Sequence, residues 1–295
     1  MLSLHSSDSM LISPLQLRSL CREDLVLLDA RAPVGNPRGG YEQYLRGHIP
    51  TARWLSWDEA LHEPDGITPG RLPLTRRIAT ALARAGVTPR TKIVVYDDNH
   101  QFTAAQLVWI LRAYGCREAQ RLDGGWPAWV AVGGEVETGP GAPHLTPPGA
   151  ATGPALATAA GPERVGIAEL SRHLEAGGPV FDCRRDSSWE AEPFLIPSAM
   201  RLPVRLLLDG AGGLLPAEKR TSVAEARGAA RCEPLVVYCA AAISASAVWL
   251  ALTDAGWPDV KLYDGGLYEW QSLGHAVSSG ERTHAAVAPV PPLNE

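Results

Sequence analysis

The feature that most constrains this chain is that it carries the same pattern twice. Leu28-Asp29-Ala30-Arg31 returns as Phe181-Asp182-Cys183-Arg184, and Ile49-Pro50-Thr51-Ala52 returns as Ile196-Pro197-Ser198-Ala199. Ile93-Val94-Val95-Tyr96-Asp97 returns as Leu235-Val236-Val237-Tyr238-Cys239. Asp123-Gly124-Gly125-Trp126-Pro127-Ala128-Trp129 returns as Asp264-Gly265-Gly266-Leu267-Tyr268-Glu269-Trp270. Four matches in one order mean a duplicated domain, and 295 residues are enough for each copy to bury its own core. Asp97 stands where Cys239 stands, so only the second copy carries a nucleophile.

The stretch around Cys239 has three parts. Residues 235–238 form an apolar, β-branched and aromatic run, which predicts a buried strand. Cys239 ends it. Small residues then lead into an apolar, Ala-rich segment with helical character that stops at Gly256. A cysteine between a strand end and a helix N-terminus meets backbone N–H donors and the positive helix end. Both lower a thiol pKa. The alternative is a buried structural cysteine.

The remaining segments alternate strands and helices. Helices are expected within 11–25, opened by Ser13 and Pro14, and at 76–85, 103–114, 167–174 and 222–231. Strands are expected at 25–28, 54–57, 93–96, 121–123 and 180–182. This predicts an α/β chain of two tandem domains, each a mainly parallel sheet flanked by helices. The expected boundaries are residues 1–140, a Pro/Gly/Ala-rich linker at 141–162, residues 163–285, and a Pro-rich tail at 286–295. Ligands of such sheets bind at the carboxyl ends of strands, where Asp29, Arg31, Asp97, Asp182, Arg184 and Cys239 fall.

Composition narrows the function. A net charge of -5 without a basic block gives no case for nucleic acid. No apolar run is long enough to span a bilayer, and the first residues lack a signal-peptide pattern. Cys21, Cys116, Cys183, Cys232 and Cys239 are scattered and odd in number. They suggest neither a zinc site nor a disulfide framework, and fit a reducing, cytoplasmic setting.

Taken together, Leu28–Arg31, Gly47-His48-Ile49-Pro50, Val237-Tyr238-Cys239 and the two Asp-Gly-Gly turns make the chain resemble the tandem-domain rhodanese superfamily. That superfamily contains thiosulfate and 3-mercaptopyruvate sulfurtransferases. The resemblance implies an inactive N-terminal domain and a C-terminal Cys239 that carries sulfane sulfur as a persulfide. It implies a small sulfur-donor anion as substrate and a thiol acceptor, either a small molecule or a protein. No metal and no cofactor are expected.

The family's loop after the cysteine usually reads Arg-Lys-Gly-Val-Thr or Gly-Ser-Gly-Val-Thr. Here it is Ala240-Ala241-Ala242-Ile243-Ser244. Ala241 offers neither cation nor hydroxyl. Ala242 replaces a glycine, at a cost of about 1–2 kcal/mol if the position needs positive φ. The second copy has Phe194-Leu195-Ile196-Pro197 in place of Gly-His-Ile-Pro, and its spacing from Asp182 to Ile196 is shorter than that from Asp29 to Ile49.

The expected donor contacts are the loop 240–244, Arg184, Arg185 and His48. Arg184 has a competing reading as an ion pair with Asp182, since both halves repeat Asp-x-Arg. Arg185 has Ala32 as its counterpart and is expected to add an anion contact, or else to be a surface charge. His48 is expected to face the site across the domain interface and assist proton transfer, or else to be a surface or capping histidine. Cys183 reads as packing or as a resolving thiol. Trp189 is expected at the pocket mouth. A phosphatase of this fold type needs Arg as the sixth residue after the cysteine, and Ala245 stands there. The remaining competitor is a degenerate, non-catalytic module that binds proteins in sulfur relay.

Overall fold

The computed structural model describes residues 9–20, 25–33, 36, 38–60, 71–89, 91–98, 102–141, 156–157 and 161–279. Most of the expected linker, the whole tail and Cys21 lie outside these residues.

The first half runs β1 Leu11–Ile12, α1 Pro14–Ser19, β2 Leu25–Asp29, α2 Gly39–Arg46, β3 Arg53–Trp54, α3 Trp57–Ala60, α4 Thr75–Arg84, β4 Lys92–Tyr96, α5 Thr103–Ala113, β5 Ala119–Leu122 and α6 Gly125–Ala131. The second half runs β6 Arg164–Val165, α7 Ile167–Glu175, β7 Val180–Asp182, α8 Asp186–Ala191, β8 Phe194–Leu195, β9 Met200–Arg201, a 3-10 turn Val204–Leu207, α9 Ala217–Glu225, β10 Leu235–Tyr238, α10 Ile243–Asp254, β11 Val260–Tyr263, α11 Gly266–Ser272 and β12 Ser278–Ser279.

The two halves have the same topology. The first sheet has the order β1-β5-β4-β2-β3 and the second β6-β11-β10-β7-β9, with every pairing in both parallel. The added ribbon β12-β8 is antiparallel, and its first-half counterpart is a single antiparallel bridge between His48 and Glu137. Parallel strands covered on both faces read as continuous apolar runs, which is why β4 and β10 were legible.

The central core is shared. α5 and α10 are apolar on nearly all sides because each packs on its own sheet and on the other helix. One cluster joins Leu28, Val95, Leu107 and Trp109 to Val237, Trp249 and Leu250 across the halves. The outer face of each sheet closes over a smaller cluster, one around Leu27 and Trp129, the other around Val180 and Trp270.

Two reciprocal hydrogen bonds tie the halves. The Leu72 N–H of the first half donates to Asp264 at 2.9 Å, and the Leu214 N–H of the second donates to Asp123 at 3.0 Å. Arg71 adds an ion pair with Glu269 at 2.9 Å. Each half thus uses the Asp of its Asp-Gly-Gly turn to hold a loop of the other.

Two sequence expectations are corrected. The 54–57 segment is not one strand: β3 ends at Trp54 and a helix starts at Trp57. The helix expected at 222–231 is Ala217–Glu225, beginning directly after Pro216. It has few large apolar residues, so hydrophobic periodicity could not place it.

Candidate active site

Strand β10 lies in the middle of its sheet, between β7 and β11. Its four residues are buried, and Cys239 follows directly at the carboxyl end. The chain then turns through Ala240 to Ala242 into α10. Ala242 adopts φ 61°, ψ −17°, the left-handed conformation that a glycine would take without strain. That residue aims the first N–H groups of the helix back at the cysteine. The backbone N–H groups of Ala241, Ser244 and Ala245 donate to its sulfur.

The Asp-Gly-Gly turn clamps the loop from the other side. The Leu267 N–H donates to the Cys239 carbonyl at 2.9 Å. Gly266 sits at φ 58°, and a Cβ there would lie 2.5 Å from the Cys239 carbonyl oxygen. Only glycine allows this approach.

The first half is the internal comparison. The Trp126 N–H donates to the Asp97 carbonyl at 2.7 Å, the same clamp. There the Asp97 carboxylate accepts the Ala104 N–H at 2.9 Å and lies 3.7 Å from Arg121. A fixed carboxylate thus occupies the position at the helix N-terminus that Cys239 holds in the second half.

The electrostatics correct one expectation. Cys239 is only 3% exposed. Burial pushes its thiol above the ordinary value; the N–H groups of Ala245, Ala241 and Ser244 pull it down, and Asp182 pushes it up. The donors are where the sequence implied, but desolvation of a thiolate in a dry site outweighs them. Cys183 lies beside Cys239, since β7 and β10 pair Asp182 with Tyr238 and the Cys183 N–H continues the ladder to the Tyr238 carbonyl at 2.7 Å. Burial, then Cys239, then Asp182 push the Cys183 thiol far up.

The expected donor contacts divide. The loop 240–244 surrounds Cys239. Arg184 does not serve as a free cation: it is buried, and its guanidinium pairs with Asp182 at 2.6 Å. Its outer nitrogens donate to the carbonyls of Glu192 and Phe194. The repeated Asp-x-Arg is therefore a structural pair in both halves, with Arg31 on Asp29 at 2.5 Å in the first. His48 is fully buried within the first half. It bridges to Glu137 through its backbone, stacks on Tyr44 at 3.8 Å, and places Nδ1 2.9 Å from the Tyr44 carbonyl. It belongs to the first half's counterpart of the β12-β8 ribbon, and its contacts lie among Tyr44 and Glu137 rather than at Cys239. Arg185 stands at the N-cap position of α8 and is half-buried. Trp189 lies under two guanidiniums, 5.2 Å from Arg184 and 4.7 Å from Arg201.

Arg201 is the residue the sequence reading missed. It ends β9, next to β7, and donates to Asp182 at 3.4 Å, to the Arg184 carbonyl at 2.9 Å and to Asp186 at 3.3 Å. Burial lowers its pKa, while interactions with Asp182, Asp186 and Cys183 act the other way. The signal was available: counted from the two Ile-Pro pairs, Arg201 falls where Trp54 stands in the first half.

Among the described residues there is no cluster of His, Cys, Asp and Glu that could hold a metal, and no helix is long and apolar enough to cross a membrane.

The family model of the rhodanese-like domain matches the chain twice, over residues 13–132 and 167–273. A 3-mercaptopyruvate sulfurtransferase of Escherichia coli is 30% identical over 263 residues, covering 84% of this chain and 89% of that protein. A putative thiosulfate sulfurtransferase, SseB, of Mycobacterium tuberculosis is 30% identical over 256 residues, covering 83% and 87%. The crystal structure of the 3-mercaptopyruvate sulfurtransferase SseA from Escherichia coli superposes with a TM-score of 0.73 at 26% identity, covering 88% of this chain and 98% of that one.

Proposed function

Because the chain belongs to the rhodanese-like family, we propose that it is a rhodanese-type sulfurtransferase that carries sulfane sulfur as a persulfide on Cys239. The observation that carries this reading is the set of three backbone N–H groups, from Ala241, Ser244 and Ala245, on one sulfur at a strand end. Such a set stabilises negative charge without any side chain, so an all-alanine loop retains the chemistry.

The donor is a small anion such as thiosulfate or 3-mercaptopyruvate. The Cys239 thiolate attacks the sulfane sulfur and forms an S–S bond. The donor's S–S or C–S bond breaks, and its electron pair stays on the leaving group, sulfite or the enolate of pyruvate. The terminal persulfide sulfur is a stronger acid than a thiol and takes the negative charge, which the same N–H groups then hold. An acceptor thiolate removes that sulfur and returns Cys239. Arg185 and Arg201 are the cations assigned to the donor's charge.

A raised thiol pKa in a buried site favours a second reading, a non-catalytic rhodanese that binds proteins of sulfur relay. Mass spectrometry of the folded protein after thiosulfate or 3-mercaptopyruvate separates the two. The enzyme reading expects one added sulfur on Cys239 and none in Cys239→Ser, with the fold intact by circular dichroism. An unmodified Cys239 with both donors, or added sulfur on the variant, rejects it.

A further inference from the structure

The chemistry proposed at Cys239 leaves one buried nucleophile unused, Cys183. The two cysteines stand side by side. β7 and β10 pair in parallel with Asp182 opposite Tyr238, and the next residue along each chain is a cysteine. The Cys183 N–H carries the ladder on to the Tyr238 carbonyl at 2.7 Å. Neighbouring strands lie about 4.8 Å apart, inside the span of about 4.4–6.8 Å between α-carbons that a disulfide bridges.

Side chains alternate faces along a strand, so the register also fixes direction. Phe181, Cys183, Val237 and Cys239 all enter the core shared by the halves, while Tyr238 enters the cluster on the opposite face. Both sulfurs therefore lie on one side of the sheet. Both are free thiols. Cys183 is closed to solvent, and a negative charge on Cys239 is felt at its thiol. Packing alone does not need sulfur here. The first half fills the equivalent place with buried Ala30, whose N–H makes the same bond to the Tyr96 carbonyl at 2.9 Å.

We propose that Cys183 is the resolving thiol of Cys239: it displaces the group carried on the Cys239 sulfur and closes a Cys183–Cys239 disulfide. For a persulfide, where the inference rests on the sulfurtransferase reading, the displaced group is sulfide. The Cys183 sulfur bonds to the Cys239 Sγ. The S–S bond to the terminal sulfur breaks, and its electron pair leaves with that sulfur. The Cys183 proton goes to it, so hydrosulfide departs. The terminal sulfur is reduced, and the cysteine pair is oxidised. A stable Cys183 thiolate is not required, because the proton leaves with the departing sulfur. Two acceptor thiols, or one dithiol, then reduce the disulfide, form their own, and restore both cysteines.

The test is a time course of the full chain with one equivalent of thiosulfate or of 3-mercaptopyruvate, so that no donor thiol remains once Cys239 is loaded. Intact mass and non-reducing peptide mapping follow the cysteines, and a sulfide electrode follows release. The added sulfur on Cys239 is expected first. It then gives way to the Cys183–Cys239 disulfide as sulfide appears. Cys183→Ala, which copies the first half's residue, is expected to keep its persulfide and to release no sulfide. Cys232→Ser, at an exposed cysteine, is expected to match the wild type. Hydrogen peroxide tests the pair without a donor: it converts Cys239 to the sulfenic acid, and Cys183 then expels water to give the same disulfide. A wild-type persulfide that lasts as long as that of Cys183→Ala, sulfide release unchanged in Cys183→Ala, or a peroxide product without the Cys183–Cys239 link overturns the proposal. The peroxide disulfide with no persulfide on any chain supports the resolving thiol and rejects the sulfurtransferase reading instead.

Discussion

Ala242 is where the active loop works against its own sequence, and the strain can be measured. A non-glycine residue in the left-handed region costs about 1–2 kcal/mol. Ala242→Gly removes that cost. It also adds the extra backbone entropy of glycine, about 0.5–1 kcal/mol, and removes a fully buried methyl worth about 0.8 kcal/mol. The opposing contributions nearly cancel, so the substitution should be close to neutral. Ala251→Gly is the control, because Ala251 is equally buried but lies within α10. There the helix penalty of about 1 kcal/mol and the lost methyl act together with no offset. The two variants should differ by about 1–2 kcal/mol, read as urea midpoints at constant slope. If Ala242→Gly destabilises as much as Ala251→Gly, then Ala242 is unstrained and the account of the loop fails.

Two further outcomes follow from the site. Burial holds the Cys239 thiol above its ordinary value, so near neutral pH the thiolate is the minor form. Single-turnover persulfide formation should therefore rise about tenfold per pH unit and pass through the free-thiol range without levelling; a plateau near neutrality would mean a stabilised thiolate and would refute the balance argued here. Ala241→Lys should raise kcat/KM for thiosulfate by roughly ten- to a hundredfold, the worth of one charged contact to an anion, and unchanged kinetics would mean that position 241 does not face the donor.

The local parts of this site were legible because they are set by local physics. The β10 run, the stop at Cys239 and the small residues before α10 predict the strand–loop–helix junction. The glycine missing at position 242 anticipates the positive φ found there. The duplication exposed Asp97 as the counterpart of Cys239, and the structure gives it the same place at a helix N-terminus. What escaped depends on contacts distant in sequence. The sign of the Cys239 shift turns on how dry the assembled site is, which no spacing reveals. His48 looked mobile in role because histidine is versatile, yet its partners Tyr44 and Glu137 fix it in the first half. The shortened stretch between Asp182 and Ile196 left α8 and β8 too short and too polar for periodicity to find. Arg201 was hidden because its significance comes from strand pairing with β7.

The exchanged loop contacts between Asp123 and Leu214, and between Asp264 and Leu72, bear on how the two copies can evolve. Asp264 is buried and takes its N–H partner from the half that has no nucleophile. The turn it anchors is the one whose next residues clamp Cys239. The first copy carries Asp97 where the second has Cys239, yet its Leu72 N–H holds the Asp whose turn clamps Cys239, so it cannot drift freely. Any constraint on the Cys239 loop therefore reaches the loop around Leu72 and the face of α5. The copy without the cysteine is held in shape by the turn that serves the copy that has it.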